Sequence, residues 1–389
     1  MMQKNGQVES EDISCFTVAI IGGGLAGLSL SILLCKEGYK TILFEKEKYP
    51  FHKVCGEYIS LESWSFIESL GLNLSNLELP IIKKLVVSAP NANTIETKLD
   101  LGGFGISRFF IDNELKEIAL AAGVTIYEES KVIDISFENE MTSIQYNKGE
   151  VFAKIVVGSF GKRSNLDVKW NRDFVKEKPS KLNNYIGVKY HVKNDLHSDT
   201  IALHSFKNGY CGVSKIENGE SCLCYLTTAK NLKESHNSIK EMEERILYKN
   251  PFLKKIFTGS EFIFEEPVTI SQISFDKKQQ IENHVLMLGD AAGMITPLCG
   301  NGMSMALHSS KIAFENIDLF LKGRLSRTEM ENNYINTWKK QFEKRLRIGR
   351  MIQRFFRTEK LANFFISAIK PFPFIIKQLV KATHGKTFF

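Results

Sequence analysis

Residues 16–27 read Phe-Thr-Val-Ala-Ile-Ile-Gly-Gly-Gly-Leu-Ala-Gly. A short apolar run ending at glycine predicts a buried parallel strand over 16–21. Apolar residues at helical spacing predict a helix from about Ala26 to Glu37, closed by Gly38, and Lys40–Glu45 predicts a second strand. The stretch is therefore a βαβ unit. Its turn carries the spacing G-x-G-x-x-G in Gly22, Gly24 and Gly27. Gly22 permits the tight turn, Gly24 lets the backbone approach a pyrophosphate, and Gly27, after Ala26, lets helix and strand pack closely. The helix N-terminus offers unpaired N–H groups and about half a positive charge. Glu45, followed by Lys46, ends the second strand 18 residues after Gly27. A carboxylate there accepts hydrogen bonds from a ribose 2′-OH, which selects FAD or NAD over NADP.

A second glycine cluster, Leu288-Gly289-Asp290-Ala291-Ala292-Gly293, is followed by Pro297, Gly300, Asn301 and Gly302 before a long apolar-periodic segment. Asp290 suits a ribityl hydroxyl chain. The glycines and the following helix N-terminus suit an isoalloxazine edge, where reduced flavin gathers negative charge. Together the two clusters point to non-covalent FAD.

The pair resembles the FAD-dependent oxidoreductases that include aromatic hydroxylases, flavin-dependent halogenases and geranylgeranyl reductases, over most of residues 16–340. Gly293 stands where the hydroxylases usually carry His, and glycine is more typical of the geranylgeranyl reductase branch. Arg108, followed by Asp112 and Leu115, matches the family's arginine that approaches the FAD. Pro50–Ser60 resembles the reductase branch's loop beside the flavin, which makes Cys55 the candidate catalytic residue. His52 and Lys53 read equally well as solvated loop residues. The halogenase motif W-x-W-x-I-P is absent. Many relatives carry Asp-Gly-x-x-Ser-x-x-Arg on the FAD pyrophosphate and, in hydroxylases, on NADPH. Here Gly161 and Ser164 remain, but Phe160 replaces the Asp and Asp167 the Arg. The electron donor, NADH, NADPH or a separate donor protein, therefore stays open.

Beyond these motifs, residues 81–101 alternate polar and apolar around a Pro90–Asn91 turn and read as antiparallel strands. Residues 112–122 predict a helix leading to a strand at Val124–Tyr127. Residues 185–228, with turns at Asn208–Gly209 and Asn218–Gly219, read as a meander. Helix is expected over 238–249 and a buried strand over 284–289. The expected fold is α/β: a Rossmann-like FAD-binding domain with a parallel sheet (14–80, 105–184 and 276–330), interrupted by an antiparallel β substrate domain (81–104 and 185–275). A basic helical C-terminal region (331–389), broken at Pro371 and Pro373, closes the chain.

Composition is that of a globular protein, 43% hydrophobic and 24% charged over 389 residues. The polar N-terminus with Glu9, Glu11 and Asp12 lacks the basic start and apolar stretch of a signal peptide. No uncharged apolar run approaches the roughly 20 residues of a membrane span. The seven cysteines are scattered and the histidines show no metal spacing, so no metal is expected and a reducing cytoplasm fits. The net charge of +7 is concentrated at the end: residues 338–389 hold 13 Lys and Arg against Glu343 and Glu359, with nine Phe. That tail reads either as a closing helical segment or as a peripheral contact with an anionic membrane, each cation near the leaflet contributing roughly 1 kcal/mol. The second reading would place the protein at the inner face of a membrane. No recognition module accompanies the charge, so nucleic acid is not an expected partner.

The reaction implied by the resemblance is hydride transfer from FADH₂ to a C=C bond of a small apolar or lipid-like substrate. The alternative is a monooxygenase acting on an aromatic or polyketide-like substrate through a C4a-hydroperoxide. A non-catalytic flavin-binding module that recruits a partner through the tail is the remote one.

Overall fold

The computed structural model describes residues 15–176 and 184–389, so Glu9, Glu11 and Asp12 lie outside the described residues. The opening run forms the strand Cys15–Ile21, in which Val18, Ala19 and Ile20 have no exposed surface. A strand buried on both faces needs parallel neighbours covered by helices. Thr41–Phe44 and the end of Gly149–Gly158 supply them, with Val18 opposite both Thr41 and Ile155. Thr125–Tyr127 and Val285–Met287 extend the parallel set on either side. The hairpin Val132–Glu138/Met141–Tyr146, which the sequence reading passed over, adds antiparallel pairs to the first half of Gly149–Gly158. The helix Leu25–Lys36 lies between this sheet and the helices Arg108–Ala121 and Gly302–Leu321.

The second sheet is mainly antiparallel and takes Tyr58–Ser60, Ile81–Ser88, Thr94–Gly105, Tyr185–Lys193, Thr200–Phe206, Gly209–Lys215, Ser221–Thr228, Glu261–Phe262 and Val268–Ile273. The two Asn-Gly turns fall where expected, with Asn208 and Asn218 both at positive φ. The meander forms from Thr200 to Thr228, each strand pairing antiparallel with the next, but Tyr185–Lys193 does not precede it in the sheet. Tyr185–Lys193 pairs antiparallel with Ser221–Thr228, while Thr200–Phe206 runs parallel to Ile81–Ser88. Strand partners so far apart in sequence are chosen by tertiary packing and not by turn chemistry.

The helix expected over 112–122 begins four residues earlier, at Arg108, because the Ser107 hydroxyl accepts the Phe110 N–H at 3.1 Å and caps it there. The tail forms three helices, Arg327–Phe355, Glu359–Ile369 and Pro373–Thr383. The last of them starts with proline at N1, where its missing N–H costs nothing. Trp338, Phe342 and Leu346 bury themselves in the main core, and Ile366 and Ile376 form a small separate core with Ala89 and Ile95. Among the described residues, no helix is long and apolar enough to cross a membrane.

Candidate active site

The glycine turn is closed by direct backbone contact. Gly22 has φ +106°, and a β-carbon there would stand 2.4 Å from the Ser159 carbonyl oxygen. A β-carbon on Gly27 would stand 2.1 Å from the Gly22 carbonyl oxygen, so the helix can start only against a bare glycine. Glu45 is buried, and its carboxylate accepts the N–H groups of Gly23 (3.0 Å), Lys46 (2.8 Å) and Glu47 (3.2 Å). The Lys46 side chain is exposed and pairs with Glu47. Over the turn, the Tyr49 hydroxyl and the Lys53 ammonium both donate to the Gly23 carbonyl.

Arg108 reaches this turn from the next helix. A β-carbon on Gly24 would lie 3.3 Å from its Nη2. Nε and Nη2 hold Asp112 in a two-pronged pair at 2.8 and 2.7 Å, and Lys53 adds a third contact at 2.9 Å. Burial alone would raise the Asp112 carboxyl, but Arg108 and Lys53 together hold it below its ordinary range.

Gly24, Ala26, Cys55, Arg108, Gly289, Asp290, Pro297, Gly300, Asn301 and Gly302 line one cavity. Gly22, Gly27, Glu45 and Lys46 stand outside its lining, the first two shaping the turn from behind. Two helix N-termini border the cavity: Leu25–Lys36 begins at Gly24 and Gly302–Leu321 at Asn301, neither with a side-chain cap. Their N–H groups and dipoles favour negative charge at both ends. A pyrophosphate against Gly24 and a flavin edge against Gly302 fit this donor set, and Gly289 and Gly300, at φ +53° and +60°, add no β-carbon to the second wall. Asn301 is fully buried, donating to Glu62 at 2.6 Å and accepting from Arg345 at 3.2 Å, which fixes the helix start from the side of the tail.

The residues that depart from the family pattern have been built into a brace. Asp167 closes a capping box with Ser164 and pairs with Arg172 at 2.8 Å, both side chains 1% exposed. Arg172 also donates to the carbonyls of Ala291 and Gln279, tying this segment to the one after Asp290. Lys278 donates to the Lys162 and Asp290 carbonyls, and burial brings it down to about 8. Phe160 packs edge-on to Trp170.

The loop carrying Cys55 is held from the second sheet. Cys55 is partly buried, and its carbonyl accepts the Cys222 thiol at 3.2 Å. Two residues on, Glu57 adopts φ +54° with no exposed surface. Its carboxylate accepts from the Lys189 ammonium, from His191 Nε2 at 2.6 Å and from the Arg108 N–H at 2.8 Å. Burial alone would raise this carboxyl, but Lys189 and His191 bring it down to about 2. The Glu57, His191 and Cys222 donor atoms lie within 4.8 Å of one another, with Lys189 supplying the positive charge beside them. His52 joins this side of the loop, edge-on to His191 and stacked on Phe109, and burial lowers it to about 4. The sequence reading missed Lys189 and His191. The available signal was two ionisable residues, two apart, inside a strand otherwise apolar enough to be buried.

Gly293 faces away from the cavity. A β-carbon there would lie 2.7 Å from the Trp338 ring, so the tail helix packs where a larger residue would otherwise project.

These geometries agree with the comparisons. Residues 16–171 match the FAD binding domain family. Conditioned medium factor receptor 1 of Dictyostelium discoideum is 24% identical over 85% of this chain and 69% of its own length. Digeranylgeranylglycerophospholipid reductase of Methanococcus vannielii is 24% identical over 85% and 83%, and kynurenine 3-monooxygenase of Christiangramia forsetii 23% over 84% and 75%. The flavin-dependent brominase Bmp2 shares the fold with a TM-score of 0.77, at 18% identity over 95% of this chain and 93% of its own. The chain is a FAD-dependent oxidoreductase. Over most of its length it is similar in sequence to geranylgeranyl reductases and flavin monooxygenases, and it shares its fold with a flavin-dependent brominase.

Proposed function

We propose that this enzyme reduces a carbon–carbon double bond of an apolar, isoprenoid-like substrate. The observation that carries this reading is the shape of the space beside Cys55. The cavity there adjoins a second one, the two sharing Tyr58, Ile201, Leu203, Pro297 and Gly300. The second is walled mainly by apolar side chains of the antiparallel sheet and the tail, together with Thr383 and His384. Together they suit an extended hydrocarbon chain better than a compact polar one.

Bound FAD supplies a hydride from N5 of its reduced form. The chain's own residues do the rest. The first sheet and its helices would hold the cofactor, with the N-termini at Leu25 and Gly302 toward its negative charge and Asp290 available to its ribityl hydroxyls. Residues 81–104 and 185–275 cover the substrate. Cys55 faces the reacting bond, and Glu57, anchored by Lys189 and His191, sets the position of the Cys55 loop. A water or side chain at the same face delivers the proton that completes the reduction.

The second reading, a monooxygenase on an aromatic or polyketide-like substrate, is favoured by the similarity to kynurenine 3-monooxygenase and by the fold shared with a flavin-dependent brominase. The reactions differ in their need for oxygen. Substrate-stimulated consumption of NADPH and O₂ together would support the monooxygenase. Saturation of an isoprenoid alkene by the dithionite-reduced protein in the absence of O₂ would support the reductase. Bound FAD with no turnover in either assay, unaltered by Cys55→Ala, would leave a non-catalytic flavin module.

A further inference from the structure

The helix Glu359–Ile369 turns Ala362 and Ile366 into a small core and leaves Leu361 and Phe364 outside. Leu361, Phe364 and Ala368 recur at helical spacing, so they share one outward face. The connection to Pro373–Thr383 continues the exposure: Phe364 is 69% exposed, Phe372 51% and Phe374 65%. Water-facing aromatic rings this close in sequence mark a contact surface and not ordinary surface scatter. Their charged neighbours along the chain are mostly positive. Lys360, Lys370, Lys377, Lys381 and Lys386 are all exposed, and Glu359 is the only acid after Glu343. Lys377 touches Asp100 at 4.0 Å, with both side chains mostly in solvent.

The same two helices wall the second apolar cavity. Phe365, Ile366 and Ile369 line it from one helix, and Ile376, Leu379 and Val380 from the other. The residues that face outward and those that line the cavity therefore alternate along a single pair of short amphipathic helices.

We propose that Glu359–Ile369 and Pro373–Thr383 form a docking face for an anionic phospholipid bilayer, which sets the cavity between them against the lipid surface. Aromatic rings enter the headgroup boundary and the lysines meet the anionic heads, the combination that holds an interfacial helix in the plane of a membrane. The docking face stands whatever the reaction turns out to be. Its use as a substrate entrance rests on the apolar-substrate reading above.

The test is co-sedimentation of the purified full chain with vesicles of phosphatidylcholine alone and of equal parts phosphatidylcholine and phosphatidylglycerol. The variant F364S/F372S/F374S changes only exposed side chains, and its thermal melt and flavin spectrum check that it is folded. The expected result is binding to the anionic vesicles at least about tenfold stronger than to the neutral ones, reduced about tenfold or more in the triple variant. Equal binding to both vesicle types, no binding to either, or a triple variant that binds like the wild type would overturn the proposal. Displacement from the vesicles by a single-stranded polynucleotide, with wild type and variant binding that polymer alike, would also overturn it and assign the face to nucleic acid.

Discussion

Glu57 stands 2.6 Å from His191 Nε2 and holds the Lys189 ammonium, two residues along the chain from Cys55. This joins the loop beside the flavin cavity to the middle of the second sheet. Glu57→Gln leaves the fully buried Lys189 without its counter-charge, and loss of one partner of a buried pair costs about 3–5 kcal/mol. Urea unfolding should show that loss, and adding Lys189→Met should recover much of it. The Glu57 pKa lies below its ordinary 4.5, near 2. The stability it contributes is therefore present above pH 4.5 and is lost as pH falls from there toward 2. In Glu57→Gln that part of the acid transition should be absent.

Gly293 and Trp338 set the seat of the tail. Gly293→Ala places a β-carbon 2.7 Å from the indole, an overpacking expected to cost about 1–3 kcal/mol. The same substitution in a Trp338→Leu background should cost clearly less. A double-mutant cycle on unfolding free energies measures the difference, and equal costs in both backgrounds would contradict this packing.

Arg108 reaches both Asp112 and the Gly24 turn. Arg108→Ala should weaken FAD binding by roughly 10- to 100-fold, the worth of a charged hydrogen-bond partner of about 1.5–3 kcal/mol. The flavin absorbance retained after gel filtration reports this directly. Retention equal to wild type would remove Arg108 from the cofactor site.

Asp167 occupies the position where relatives carry arginine, yet it is a structural residue through Arg172. Asp167→Asn should lower stability by about 3–5 kcal/mol. Asp167→Arg, although it restores the residue common in the resembling family, should be worse, because it opposes the buried Arg172 guanidinium. Soluble expression and melting temperature check both.

The cofactor half of the site is legible in the sequence because its demands are local. Gly22, Gly27, Gly289 and Gly300 sit where a β-carbon has no room or where φ is positive, and only glycine meets both conditions cheaply. The hairpin turns at Asn208 and Asn218 are legible for the same reason. The Ser107 cap was available as a signal too, and it moves the helix start to Arg108. The grip of Lys189 and His191 on Glu57 joins residues more than 130 positions apart, and no local pattern encodes such a pairing. The order of strands around Tyr185–Lys193 was hidden likewise, since alternation marks a strand but does not name its neighbour.

The central claim is that FAD held in the cavity beside Cys55 reduces an apolar alkene. The most direct measurement is anaerobic reduction of the purified protein with dithionite, followed by mixing with an isoprenoid alkene and recording of the flavin spectrum. The account predicts reoxidation of the flavin without oxygen, coupled to one saturated bond per flavin and strongly slowed by Cys55→Ala. A reduced flavin that stays reduced with every alkene offered, and reoxidises only when oxygen is admitted together with an aromatic substrate that becomes hydroxylated, would contradict it.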